Sequence, residues 1–161
     1  VTEKCFSVME RHGILNRKEL EARYDIRLEN YVKTLCIEAD VMIDMARRQF
    51  LPAAISYIRY LADCVNSVKA TGLSVDTSVE AGLLKDVSAK TKRLKAALSK
   101  LEKVAEKGEG MSDHVAQAEY YRDKIAPAMA VLRQCTDELE PMVGKDYWPV
   151  PTYAELMYGI L

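Results

Sequence analysis

The stretch Ser78–Met142, SVEAGLLKDVSAKTKRLKAALSKLEKVAEKGEGMSDHVAQAEYYRDKIAPAMAVLRQCTDELEPM, decides the fold. Its first part places Leu84, Val87, Thr91, Leu94, Leu98, Leu101 and Ala105 at steps of three and four, a near-heptad seam. Its second part repeats the spacing with Ala118, Tyr121, Ile125, Ala128, Leu132, Cys135, Leu139 and Met142. A strand would bury alternate residues, so neither set suits one. The reading is a helix over about Ser78–Lys107, a turn at Gly108-Glu109-Gly110, and a returning helix over about Ser112–Met142 that Gly144 ends. The pair forms an antiparallel hairpin roughly 45 Å long. Pro127 deletes one backbone hydrogen bond in the second arm and is expected to kink it.

Upstream, a short helix over about Glu3–His12 stops at Gly13, which takes a left-handed conformation at low cost. A capping box at Asn16 and Glu19 opens the next helix, whose apolar stripe runs Tyr24, Leu28, Tyr31, Leu35, Ala39, Met42, Ala46. Pro52 interrupts it, and Ile55, Ile58, Ala62, Val65 and Val68 resume the spacing, so a kink is expected instead of a stop. Arg17 to Ala70 as one helix would be about 80 Å long, which forces it to bend or to protrude from a compact domain. Gly72 closes it, and Thr77 with Glu80 supplies a second capping box.

Downstream, Trp148-Pro149-Val150-Pro151 is non-helical, because each proline biases its predecessor toward extended backbone. This strap leads to a short final helix with a third capping box, Thr152 and Glu155, and an apolar side of Tyr153, Leu156, Met157 and Ile160. Such a tail must dock: it either folds back over the hairpin or anchors on a neighbouring subunit. Trp148, Tyr153, Leu156 and Met157 are the interaction candidates. The expected architecture is all-α, an antiparallel helical bundle with long helices and a helical hairpin. Residues 1–161 form one domain, and 145–161 form an aromatic, proline-containing tail with a short helix.

Of the 161 residues, 49% are hydrophobic and 29% charged, with 23 basic against 24 acidic. That composition suits one folded domain and no membrane helix, which needs about 20 consecutive apolar residues. A net charge of −1 gives no field that would gather nucleic acid. The local excess of basic residues, Lys85, Lys90, Lys92, Arg93, Lys95, Lys100, Lys103 and Lys107, avoids the seam and carries no interleaved aromatic residue, so a solvated face is expected. The expectation is no nucleic acid and no membrane. No secretory signal opens the chain, and its start at Val1 instead of Met hints at an excerpt or a processed product. Cys5, Cys36, Cys64 and Cys135 form no C-x-x-C pair, so reduced, buried thiols in a cytoplasmic protein are expected.

Chemistry is harder to find. Phosphate loops, dinucleotide fingerprints and nucleophile elbows are missing from the sequence, and neither His12 nor His114 belongs to a Glu-x-x-His pair. Glu38, Asp40 and Asp44 interrupt an apolar run. Asp44 can pair with Arg47 and Arg48 on a solvated face, whereas a buried Glu38 would require a basic partner. The predicted site is therefore empty of catalytic, cofactor and metal residues.

The residues do resemble one family. Arg23-Tyr24, Tyr31, Lys33-Thr34, Ile37-Glu38-Ala39, Met45-Ala46 and Leu51-Pro52-Ala53 are similar to the region beyond the catalytic domain of type III glutamine synthetases. Arg133, Asp137, Leu139-Glu140 and Tyr147-Trp148-Pro149-Val150-Pro151-Thr152-Tyr153-Ala154-Glu155-Leu156-Met157 resemble the end of that family. Cys36 stands where Asn is expected, and Tyr158 where Phe is. The resemblance implies a much longer parent that ligates ammonia to glutamate with ATP and divalent metal (Mg) and assembles as stacked hexameric rings. None of the parent's catalytic motifs falls on these residues. The chain is then a non-catalytic C-terminal domain that supports assembly, stability or regulation, partnered by the catalytic domain of the same polypeptide within a homo-oligomer. The alternative is an independent helical module that binds a protein or small-molecule regulator in a groove between the hairpin arms near Pro127.

Overall fold

The computed structural model describes residues 2–159; Val1, Ile160 and Leu161 lie outside them, and with them the part of the final apolar side assigned to Ile160. Helices follow one another as α1 (Glu3–Arg11), α2 (Arg17–Met45), α3 (Leu51–Ala70), α4 (Ser78–Glu109), α5 (His114–Tyr120), α6 (Ala126–Asp137) and α7 (Tyr153–Tyr158). Among the described residues no strand occurs, and no helix is long and apolar enough to cross a membrane.

Three rods build the bundle. The first joins α2 to α3 through a π turn, Ala46–Phe50; the second is α4; the third joins α5 to α6 through a π turn, Tyr121–Ile125. Side-chain pairs fix their directions. Cys36 meets Glu109 and Arg47 meets Glu102, so the first rod runs antiparallel to α4. Gln117 donates to the Gly108 carbonyl while Glu138 accepts from Lys90, so the third rod does too. The central α4 buries Val87, Leu94, Leu98 and Leu101 completely, against Ile125, Leu132 and Leu139 of the returning arm. The seam read from the periodicity is the seam of the structure.

Both prolines act alike. Each sits at the second position of a helix, where its missing N–H and its ring would disturb the preceding turn. That turn widens by one residue: the Leu51 N–H donates to Ala46 and the Ala126 N–H to Tyr121, five residues back. The chain stays helical through Pro52 and Pro127, and the expected kinks take the form of these wide turns.

The added residue shifts the phase of α3. Ala54 and Leu61, absent from the expected stripe, are buried, whereas Ile55 is 58% exposed. In α2, Val32 takes the buried place expected of Tyr31, which is exposed. Gly108 is a further correction. It belongs to α4 and not to a turn, because a Cβ there would sit 2.9 Å from both Ile125 Cδ1 and Tyr121 Cε2. Its hydrogen lets the returning arm come close. The fourth helical block ends at Asp137, with turns carrying the chain to Gly144, five residues short of the expected Met142. The Thr77 side chain makes no capping bond; Asp76 accepts from the Ser78 N–H and hydroxyl instead.

The bundle does not enclose all of α2. Ahead of Leu28 no α2 residue joins the common core, so about 16 Å of helix runs clear of it. Asn16 and Glu19 cap its start as expected. Near this end α1 contributes Phe6, buried beneath the Arg17 guanidinium at 4.3 Å, and Arg17 also pairs with Glu3. The start of the first rod thus protrudes past the common core.

Candidate functional site

Two places concentrate polar chemistry, and the first is the tail. Leu139 and Val143 are buried, and Gly144 lies so close to Tyr57 that a Cβ would stand 3.2 Å from its ring. After a 3-10 turn at Lys145–Tyr147, Tyr147 packs on Tyr57 and Tyr60, with ring centroids at 5.4 and 5.6 Å. Trp148 tilts against Phe50 at 5.2 Å, on the π turn that precedes Pro52. Its indole Nε1 is buried with no hydrogen-bond partner among the described residues, a cost offset by burial of the ring.

Beyond the strap, Thr152 and Glu155 close their capping box as expected. Glu155 also pairs with Lys145 at 2.6 Å. That lysine, together with the Thr152 N–H and hydroxyl, holds the Glu155 carboxyl at about 2 against an ordinary 4.5. The Tyr153 hydroxyl accepts from Arg133 and donates to Asp137, and its N–H donates to Glu140. Of the four interaction candidates, Trp148 is thus buried within this chain and Tyr153 is tethered to α6. Leu156 and Met157 stand 63% and 78% exposed.

The second place was not singled out from the sequence. Cys36 Sγ lies 3.9 Å from a carboxylate oxygen of Asp40 and 3.9 Å from one of Glu109. The three donor atoms are mutually within 4.8 Å, a spacing that could hold a divalent cation. Burial pushes the Cys36 thiol up, and the two nearby carboxylates add to that, so it is protonated near neutral pH. Tyr121, 2% exposed, is raised as well, chiefly by burial and then by Cys36. The Cys36–Asp40 spacing was visible on one helix face, but Glu109 enters only when α4 ends beside α2.

The remaining expectations fall as follows. Glu38 is exposed, so it requires no buried partner; Asp44 pairs with Arg48 at 2.9 Å, while Arg47 turns to Glu102. His114 is the exposed first residue of α5, and His12 caps α1. Cys135 is buried, but Cys5, Cys36 and Cys64 are only half-buried, contrary to the expectation of four buried thiols. In the basic run, Lys90 and Arg93 both pair with Glu138 and the others face outward from α4. The hairpin seam near Pro127 is filled by Leu98, Leu101, Ile125 and Leu132, all buried.

The fold and its docked strap define an all-helical class of protein. Residues 1–69, which take in α1, α2 and nearly all of α3, match the family described as glutamine synthetase C-terminal domain. The likeness continues through the hairpin and the tail. The chain is 30% identical over 160 residues to a glutamine synthetase of Butyrivibrio fibrisolvens, covering 99% of this chain and 23% of that protein. It is 27% identical over 161 residues to the type-3 glutamine synthetase of Dictyostelium discoideum, covering 98% of this chain and 22% of that one. With a Bacteroides fragilis glutamine synthetase it shares 27% over 152 residues. The resemblance to the C-terminal region of type III glutamine synthetases thus extends over almost the whole chain, which spans less than a quarter of the length of these relatives.

Proposed function

We propose that this chain is the single helical C-terminal domain, residues 1–161, of a longer cytoplasmic type III glutamine synthetase. The parent joins ammonia to glutamate with ATP and Mg, using residues that precede this chain. The domain contributes packing to that enzyme: it stabilises the catalytic domain of the same polypeptide and supports a homo-oligomer. The observation that carries the reading is the likeness to glutamine synthetases over 98–99% of the chain, tail included.

The physical support lies in the tail, 145–161. Tyr147 and Trp148 fix it to the first rod, so α7 leaves the bundle at a defined place with Leu156 and Met157 facing outward as an anchor for a neighbouring subunit. Truncating the parent after Gly144 tests this. The expected outcome is a lower oligomeric mass by light scattering and a lower thermal midpoint. If both stay unchanged, the tail has no anchoring role.

A further inference from the structure

α2 carries two apolar sides, and the bundle uses one. Val32, Ala39 and Ala46, at seven-residue intervals, face the core. Ile26, Ile37 and Val41 are 55%, 64% and 52% exposed. They lie eleven and four residues apart, close to three turns and one turn, so they share a line along the helix. At about 100° per residue that line falls nearly opposite the core-facing one. Beside it, Ile37, Val41 and Met42 border a mostly apolar groove of about 520 Å³, closed on the other side by Met129 and Ala130 of α6. On the same line Lys33, paired with Glu29, stands between Ile26 and Ile37, and Asp44, paired with Arg48, stands just past Val41. A surface helix ordinarily shows one apolar stripe, and a second one rimmed by charge marks an interaction site. The start of α2, which extends past the common core and is met there by α1, likewise leaves Ile26 largely in solvent.

We propose that this outward stripe, Ile26–Ile37–Val41 with Met129 beside it, is the seat of the polypeptide that precedes this chain in the longer protein. The inference rests on the reading above, that the chain is one part of a longer enzyme. Two observations select this occupant. First, more than three quarters of each relative lies outside the matched region; a preceding body on the order of 500 residues has a radius of gyration of about 23 Å. Second, such a body joins the chain through α1, which packs on α2 at Arg17, about 14 Å along the helix from Ile26, where the stripe begins. The stripe from Ile26 to Val41 is about 22 Å long, within the span of a body that size.

The test uses the full-length polypeptide with a photo-cross-linking amino acid in place of Ile37, and in a second preparation in place of Lys92 on the exposed side of α4. Copies labelled with heavy and light isotopes are mixed before irradiation. Position 37 is expected to cross-link to residues ahead of Val1 within one isotopic label, with less than a tenth of that yield from position 92. Cross-links from 37 only between heavy and light copies would identify a second copy as the occupant and overturn the proposal. Equal yields from the two positions would overturn it too. An Ile37→Glu, Val41→Glu double variant adds a second readout: amide exchange across residues 17–31 should rise at least tenfold while α4 keeps its protection, and unchanged exchange counts against the proposal. Glutamate–ammonia ligase activity, assayed on the same preparations, separates the two claims. An inactive polypeptide refutes the enzyme reading whatever the cross-links show, whereas an active one lacking the 37-specific cross-links refutes only the docking face.

Discussion

The hairpin and the first rod are built from the same periodicity yet end differently. Every seam residue from Val87 to Ala105 on α4 is buried, and the returning arm fills the other side down to the hydrogen of Gly108. In α2, of similar length, only Val32 and Ala39 are buried, and Ile26, Ile37 and Val41 remain outside. The hairpin satisfies itself, whereas the first rod has apolar surface left over. The first rod also packs along α4 through α3, where Ala54, Leu61 and Val65 are buried, but its α2 half keeps an apolar side in solvent.

Mutations at matched positions break or sharpen the contrast. The largest effect belongs to the hairpin: Leu98→Ala deletes a fully buried side chain and should lower stability by about 2–5 kcal/mol, read from urea unfolding. Gly108→Ala comes next. The added methyl must displace Ile125 and Tyr121, at about 1–3 kcal/mol, with a lower midpoint in the same assay. Thr152→Ala removes a cap and should cost about 1 kcal/mol, seen as faster amide exchange in α7. Ile37→Ala in the 161-residue chain is the smallest, within about 0.5 kcal/mol, because the side chain is mostly in solvent. A loss at Ile37 comparable to that at Leu98 would abolish the distinction between the rods.

Acid separates the tail from both rods. The Glu155 carboxyl titrates at about 2 in the folded chain and near 4.5 when free, so its bonds to Lys145 and Thr152 stabilise the tail above pH 4.5. That contribution declines as the pH falls below 4.5 and is gone below about 2. The expected signal is a change in amide exchange confined to α7 over that interval, with the hairpin unaffected. In a Glu155→Gln variant the pH-dependent part of the signal should disappear.

How far the sequence could be read follows the same division. The α4 seam was legible because one uninterrupted α-helical period runs from Val87 to Ala105 and both flanks are covered. Rod one was legible as far as Ala46 and only in part beyond it. The wide turn before Pro52 adds a residue, and with it Ala54 and Leu61 become core positions, a shift that a fixed period cannot carry, while Val65 is buried as expected. Capping boxes at Asn16 and Thr152 were visible because their partners lie three residues away. At Ser78 an acceptor two residues back, Asp76, displaced the expected Thr77 cap. The Cys36–Asp40–Glu109 corner lay beyond reach, since one of its members comes from the far end of another helix. Trp148, Tyr153, Leu156 and Met157 stood out in the sequence as a cluster, but which of them dock within the chain shows only in the fold, where Trp148 is buried and Leu156 and Met157 face outward.

The central claim is that the first rod is a docking rod, and amide hydrogen exchange on the full-length polypeptide tests it most directly. The account predicts that residues 17–31 of α2 exchange as slowly as the middle of α4, although nothing in this chain's core covers the start of that segment. Exchange across 17–31 at the rate of a solvated helix, with α4 protected, would contradict it.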